Sequence, residues 1–207
     1  MKSVSYRHKW LICSLACFFT AFLIAVSANT CKQEADASRI APYVLRFHIL
    51  AESNSKTDQE LKLKVRDQVL SYIRENAPDH ARKEELASWL LSHKEEVVFK
   101  AEQTLADSGC EADVDLNLSH DHFPARTYGN AFFPCGYYDA ARITIGKGKG
   151  RNWWCVLYPR FCFLDEACRE IPEESRRELQ EKLNQGDYPL LKDHRPELNI
   201  RFFFFPD

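Results

Sequence analysis

The sequence predicts an α+β domain behind an apolar leader. Two long stretches carry apolar residues at helical spacing, and two others alternate apolar and polar residues as half-buried strands do. The elements come in blocks: a strand, two helices, several strands, then a short helix and a strand. Such segregation marks α+β rather than alternating α/β architecture. The expectation is a single exported domain with antiparallel strands and two main helices.

Bulk composition fits this class. Apolar residues make up 45 % of the 207 residues, enough for one sizeable core. The formal net charge of −2 argues against a general nucleic-acid binder, which needs a basic excess.

Residues 1–28 read as a signal peptide or membrane anchor. Lys2, Arg7 and Lys9 precede an uncharged run from Trp10 to Ala28. The run reaches the ~18–20 residues that a membrane span needs. Val26, Ser27 and Ala28 place small residues where a leader is cut, so cleavage and retention both stay open. The positive flank keeps the N-terminus inside and sends the rest out. Residues 29–40 read as a polar linker, and 41–207 as the domain.

Val44 to Leu50 reads as the first strand. Leu45, Phe47 and Ile49 point to the core, and Arg46 and His48 to a more exposed face. Thr57 and Glu60 form a capping box for a helix starting near Asp58, with Leu61, Val65 and Val69 as its buried stripe and Pro78 as its stop. A second helix is expected from about Lys83 to Asp107. Its stripe is Leu86, Leu90, His93, Val97, Ala101 and Leu105, and Gly109 follows as a cap.

Ala112 to Ser119 alternates as a strand. Phe123 to Phe133 is irregular, and Pro134-Cys135-Gly136 reads as a turn. Ala141, Ile143 and Ile145 mark another strand. Gly146 to Arg151 alternates glycine and cation, and Asn152-Trp153-Trp154 opens an aromatic strand. Together these read as a hairpin with a basic tip. Pro172 to Asn184 suggests a polar helix, and Ile200 to Phe205 a last apolar strand.

Export gives the cysteines a meaning. Cys31, Cys110, Cys135, Cys155, Cys162 and Cys168 follow the apolar run, an even set that suits a disulfide framework. Cys155 with Cys162, across the Pro159 bend, is the first candidate pair. Cys110 with Cys135 is the second.

The tests for chemistry return little. The glycine-cation loop lacks the G-x-x-x-x-G-K-[ST] pattern and runs into a strand, where a phosphate cradle needs a helix N-terminus. Its cations suit anionic lipid, a cell-wall polymer or an acidic partner surface. His120-Asp121-His122 is the one histidine cluster, but Pro124 suggests a polar turn, and a zinc site needs further ligands. Neither G-x-S-x-G nor H-E-x-x-H is present. The residues therefore read as a non-enzyme without cofactor or metal. An extracytoplasmic hydrolase and a structural envelope protein are the rivals.

One family resemblance adds to this. Val44-Leu45-Arg46-Phe47-His48-Ile49-Leu50-Ala51-Glu52-Ser53-Asn54-Ser55, then Asp58-Gln59 and Leu61 to Asp67, resemble the opening of the stage II sporulation protein R family. So do Phe123-Pro124 with Thr127-Tyr128-Gly129. The longest match runs from Tyr138, Ala140 and Arg142-Ile143 through Gly146, Gly148-Lys149-Gly150 and Asn152-Trp153-Trp154-Cys155-Val156-Leu157-Tyr158-Pro159 to Cys162-Phe163. The resemblance implies a signalling protein secreted from the forespore into the space between two membranes. There it would activate a membrane-embedded aspartic-type protease of the mother cell that processes pro-sigma-E. Glu52 in place of Asn, Cys135 in place of Ala, Tyr137 in place of Glu, Lys147 in place of an acid and Arg160 in place of Pro depart from the family pattern. Lys147, Lys149, Arg151 and Asn152 are the candidate partner-binding residues.

Overall fold

The computed structural model describes residues 6–160 apart from 80, 129 and 130, and beyond them residues 162, 177 and 181. The helix expected at 172–184 and the strand at 200–205 lie outside the described residues, as does Cys168.

Ten elements and one short 3-10 turn follow in order. They are α1 (Tyr6–Ile40), the turn Ala41–Tyr43, β1 (Leu45–Leu50), α2 (Lys56–Asn76), α3 (Lys83–Ser92), α4 (Lys94–Ala106), β2 (Val114–Phe123), β3 (Arg126–Tyr128), β4 (Ala131–Phe133), β5 (Gly136–Ile145) and β6 (Asn152–Tyr158). The class is α+β.

The four-stranded sheet has the order β2-β5-β1-β6. β1 runs parallel to β5 and antiparallel to β6, and β2 is antiparallel to β5. The expected hairpin of β5 and β6 is therefore not formed. β1 lies between them, buried on both faces and paired on both edges, as a central strand of a covered sheet is.

Those two faces organise two cores. Leu45, Phe47 and Ile49 meet α2, α3 and α4 through Leu61, Val65, Val69, Leu86, Leu90, Val97 and Leu105. On the other face Val44, Phe123, Phe133, Tyr138 and Val156 pack beneath Ala37 and Ile40 of α1. This second layer corrects the expected exposure of Arg46 and His48, which are 0 % and 4 % exposed. A strand next to polar residues reads as half-buried, and nothing local announces that α1 and the β3–β4 hairpin will cover it.

Local details differ too. The α2 cap is Ser55 rather than Thr57: its hydroxyl accepts the Asp58 amide over 3.0 Å. The single helix expected over 83–107 breaks at His93, whose Nδ1 lies 3.0 Å from the Trp89 carbonyl. The apolar stripe continues across the break, so periodicity did not reveal it. β2 runs on through His120, Asp121 and His122, which pair with Asp139, Tyr138 and Tyr137, so this stretch is strand and not turn.

The largest correction concerns residues 29–40. They continue α1 without interruption and dock its end on the domain, where Ala37 and Ile40 are fully buried. The Cys135 amide donates to Oε1 of Gln33 over 3.4 Å. The earlier part of α1 is long and apolar enough to cross a membrane, and none of it is buried against the domain. Trp10, Leu15 and Phe18 are exposed. This helix is a candidate signal or membrane anchor.

Candidate functional site

The C-terminal ends of the parallel strands β1 and β5 both open into polar loops, and the two loops close on each other. The amides of Lys149 and Gly150 donate to the carbonyls of Glu52 and Ala51 over 3.2 and 2.8 Å. The Arg151 amide donates to Asn54 Oδ1 over 2.8 Å, and the Gly146 amide to the Asp113 carbonyl over 2.8 Å. The glycines are required here. Gly146 has φ of +53°, a left-handed conformation, and a Cβ on Gly150 would lie 2.2 Å from the Ser53 carbonyl oxygen.

The β1–α2 loop is itself held. Ser55 takes the Asp58 amide, and the Ser53 hydroxyl donates to Asp58 Oδ2 over 2.5 Å. Gln59 Nε2 donates to the Ser53 carbonyl over 2.9 Å. Lys62 straps the loops together: Nζ donates to Gln59 Oε1 over 2.7 Å and to the Arg151 carbonyl over 2.9 Å. Burial lowers the Lys62 ammonium from its usual range, and Arg151 and Arg66 push the same way. Arg66 lies over the Trp153 ring at 5.2 Å, and Trp153 packs edge-on against Phe47.

Lys147, Lys149 and Arg151 all emerge exposed from this clamp. Asn152 does not join them. It is half-buried opposite Leu50, and its Oδ1 is buried on the His48 side of the sheet. Lys147 is also not a free addition of positive charge. Its amide donates to Glu52 Oε2 and its Nζ lies 3.9 Å from Glu52 Oε1. Two of the five departures from the family pattern thus meet each other.

A second polar group was missed by sequence reasoning. His48 Nε2 lies 2.9 Å from Asp121 Oδ2, and the ring stacks on Trp154 at 5.0 Å. Asp121 also takes the Ser119 hydroxyl over 2.6 Å and Arg142 Nη1 over 3.3 Å. Burial lowers the His48 pKa, opposed by Asp121, with Arg142 lowering it further and Asn152 raising it. Burial alone would raise Asp121, but Ser119, His48 and Arg142 outweigh it and hold the carboxyl below its usual range. Nδ1 of His48 and Oδ1 of Asn152 lack partners at normal hydrogen-bond length, although the asparagine still favours the protonated ring. The Ser119 hydroxyl serves Asp121 and not the imidazole, so the group is not arranged as a nucleophile and base. Strand alternation carried past Ser119 would have placed Asp121 on the same face as Ser119, away from His120 and His122.

Arg46 fills the neighbouring space. Its guanidinium lies 4.4, 5.3, 5.0 and 5.8 Å from the rings of Phe123, Phe133, Tyr138 and Tyr128. Nε donates to the Cys155 carbonyl over 3.2 Å. His120 and His122 point outward, beside Asp139 and Glu34. Among the described residues no group of three or more His, Cys, Asp or Glu is placed to hold a metal.

The cysteine pairs separate. Cys155 and Cys162 pack into the same helix-side core, both as free thiols. Cys110 and Cys135 lie toward opposite ends of the β2–β5 pair, whose register runs from Val114–Ile145 to Phe123–Gly136. Roughly 30 Å of strand separates these ends at about 3.4 Å per residue, beyond any disulfide. The expected Cys110–Cys135 bond is corrected on that ground.

A family model described as stage II sporulation protein R matches residues 41–168. The chain belongs to the stage II sporulation protein R family. It is 36 % identical over 152 residues to the stage II sporulation protein R of Bacillus subtilis (strain 168), covering 73 % of this chain and 68 % of that protein. No solved structure matches. The match takes in β1, the whole loop clamp and the Trp-Trp strand.

Proposed function

We propose that this chain is an exported sporulation signal that acts by binding. Its target is a membrane-embedded aspartic-type protease of the mother cell, and the outcome is processing of pro-sigma-E. The chain is released from the forespore into the space between the two membranes. Family membership supports the sporulation role, and the apolar start of α1 supports export.

One observation carries the binding reading. The two family-like segments, 51–55 and 146–152, are locked into one rigid loop pair that presents Lys147, Lys149 and Arg151 together. A preorganised cationic edge suits an acidic surface on the target. A ligand shifts a protease toward activity only as far as it binds the active form better. The edge therefore distinguishes the two forms of the target.

The test is genetic and biochemical. A forespore lacking its own signal is supplied with this chain, and sigma-E precursor is followed by immunoblot. Restored processing is expected. Normal processing in the unsupplied strain would end the signalling reading.

A further inference from the structure

Cys155 sits in β6 opposite Phe47, with its side chain in the helix-side core. The chain leaves β6 at Tyr158, turns at Pro159 and Arg160, and returns so that Cys162 packs against the same core. Arg160 fixes the turn from outside. Its Nη2 donates to the Pro78 carbonyl over 3.0 Å, and Nη1 lies 4.0 Å from Asp79 Oδ1. The reversal thus returns Cys162 to the core in which Cys155 is buried, both here as free thiols. Burial pushes the Cys162 thiol well up, contact with Cys155 adds to this, and the Arg46 guanidinium opposes it.

We propose that Cys155 and Cys162 are joined by a disulfide as the chain folds outside the cytoplasm, so that only the exported form carries a clasped turn. This rests on the export reading of α1 and not on protease activation. The step is thiol–disulfide exchange with an oxidised thiol oxidoreductase. A thiolate of one cysteine attacks the enzyme's disulfide, and the second cysteine displaces the enzyme from the mixed disulfide. The chain loses two protons and two electrons, and the oxidoreductase leaves as a dithiol. Exchange happens before the turn closes, because Cys155 is only 3 % exposed once it has closed. In the reducing cytoplasm the pair stays a dithiol.

The full chain is exported with its own leader, alkylated under denaturing conditions without reductant, digested and weighed. The expected product is a linked pair of peptides containing Cys155 and Cys162, with neither alkylated. Chain held in the cytoplasm gives both alkylated. Alkylation of both in exported, folded chain would overturn the proposal, as would a bond from either to another cysteine. As a second measurement, reductant should lower the melting temperature of the exported wild type and leave that of C155A/C162A unchanged. If that variant does not fold, the peptide masses still decide. A bonded chain that triggers no processing would sink the signalling reading alone. An active chain with free thiols would sink the clasp alone.

Discussion

The amide of Gly150 donates to the carbonyl of Ala51 over 2.8 Å, which fastens the basic loop to the end of β1. A methyl at Gly150 would push into the Ser53 backbone, which cannot rotate away. Gly150→Ala should cost about 1–3 kcal/mol of stability, as overpacking does. Urea unfolding measures this, and a change under about 0.5 kcal/mol would mean the clamp is loose.

The exposed cations test the binding edge. Changing Lys147, Lys149 and Arg151 together to Ser leaves every backbone bond of the clamp in place, so stability should move by less than about 0.5 kcal/mol. Processing of pro-sigma-E should fall ~10-fold or more, as it does when complementary charge is removed from an interface. Undiminished processing removes this edge from the contact.

His48 makes stability depend on pH. Its folded pKa lies below the ordinary imidazole value through burial, against the pull of Asp121 and with Arg142 adding to the lowering. The unfolded chain therefore takes up the proton first. Stability is highest above about pH 6.5 and declines as pH falls below it, at up to ~1.4 kcal/mol per pH unit. The decline stops once the folded ring titrates as well. Asp121 acts lower: it stabilises above the carboxylate range, and that contribution is lost near and below about pH 4. Unfolding at pH 7.5, 6.5 and 5.5 should show the decline in wild type and a flatter line in His48→Gln. Parallel lines would mean that His48 is not the group responsible.

Residues 29–40 belong to the fold. Ile40 is fully buried beneath the second face of the sheet. Ile40→Ala should cost ~2–5 kcal/mol. Leu15→Ala, on an exposed part of the same helix, should leave domain unfolding unchanged. Equal effects in detergent-solubilised chain would restore the linker reading.

Local patterns made β1, β2, α2 and the helix-side core legible, since each apolar stripe in them names its own face. What stayed hidden depended on distant partners. Arg46 and His48 look like surface residues until α1 and the β3–β4 hairpin close over them. The β5–β6 hairpin was the economical reading of two strands around a glycine loop, yet β1 takes the place between them from far upstream. Of the candidate site, the exposure of Lys147, Lys149 and Arg151 followed from glycine chemistry. Their attachment to Glu52 and Asn54 did not, because nothing in either loop alone says that the two will touch. Asn152 was grouped with the cations by adjacency, but strand alternation turns it toward His48.

The unbroken run of α1 fixes how far the domain can travel. A helix advances 1.5 Å per residue, so roughly 18 Å of unbroken helix runs from Ala28 to Ile40, and the domain packs along it from Gln33 onward. A chain that keeps its leader carries its domain on a short rigid helix close to the membrane. If the target sits in a facing membrane farther off than that, the form released near Ala28 is the one expected to signal. A variant blocked at that cut should accumulate in the membrane fraction and fail to signal, while the trimmed chain, still carrying its docked helical end, diffuses across.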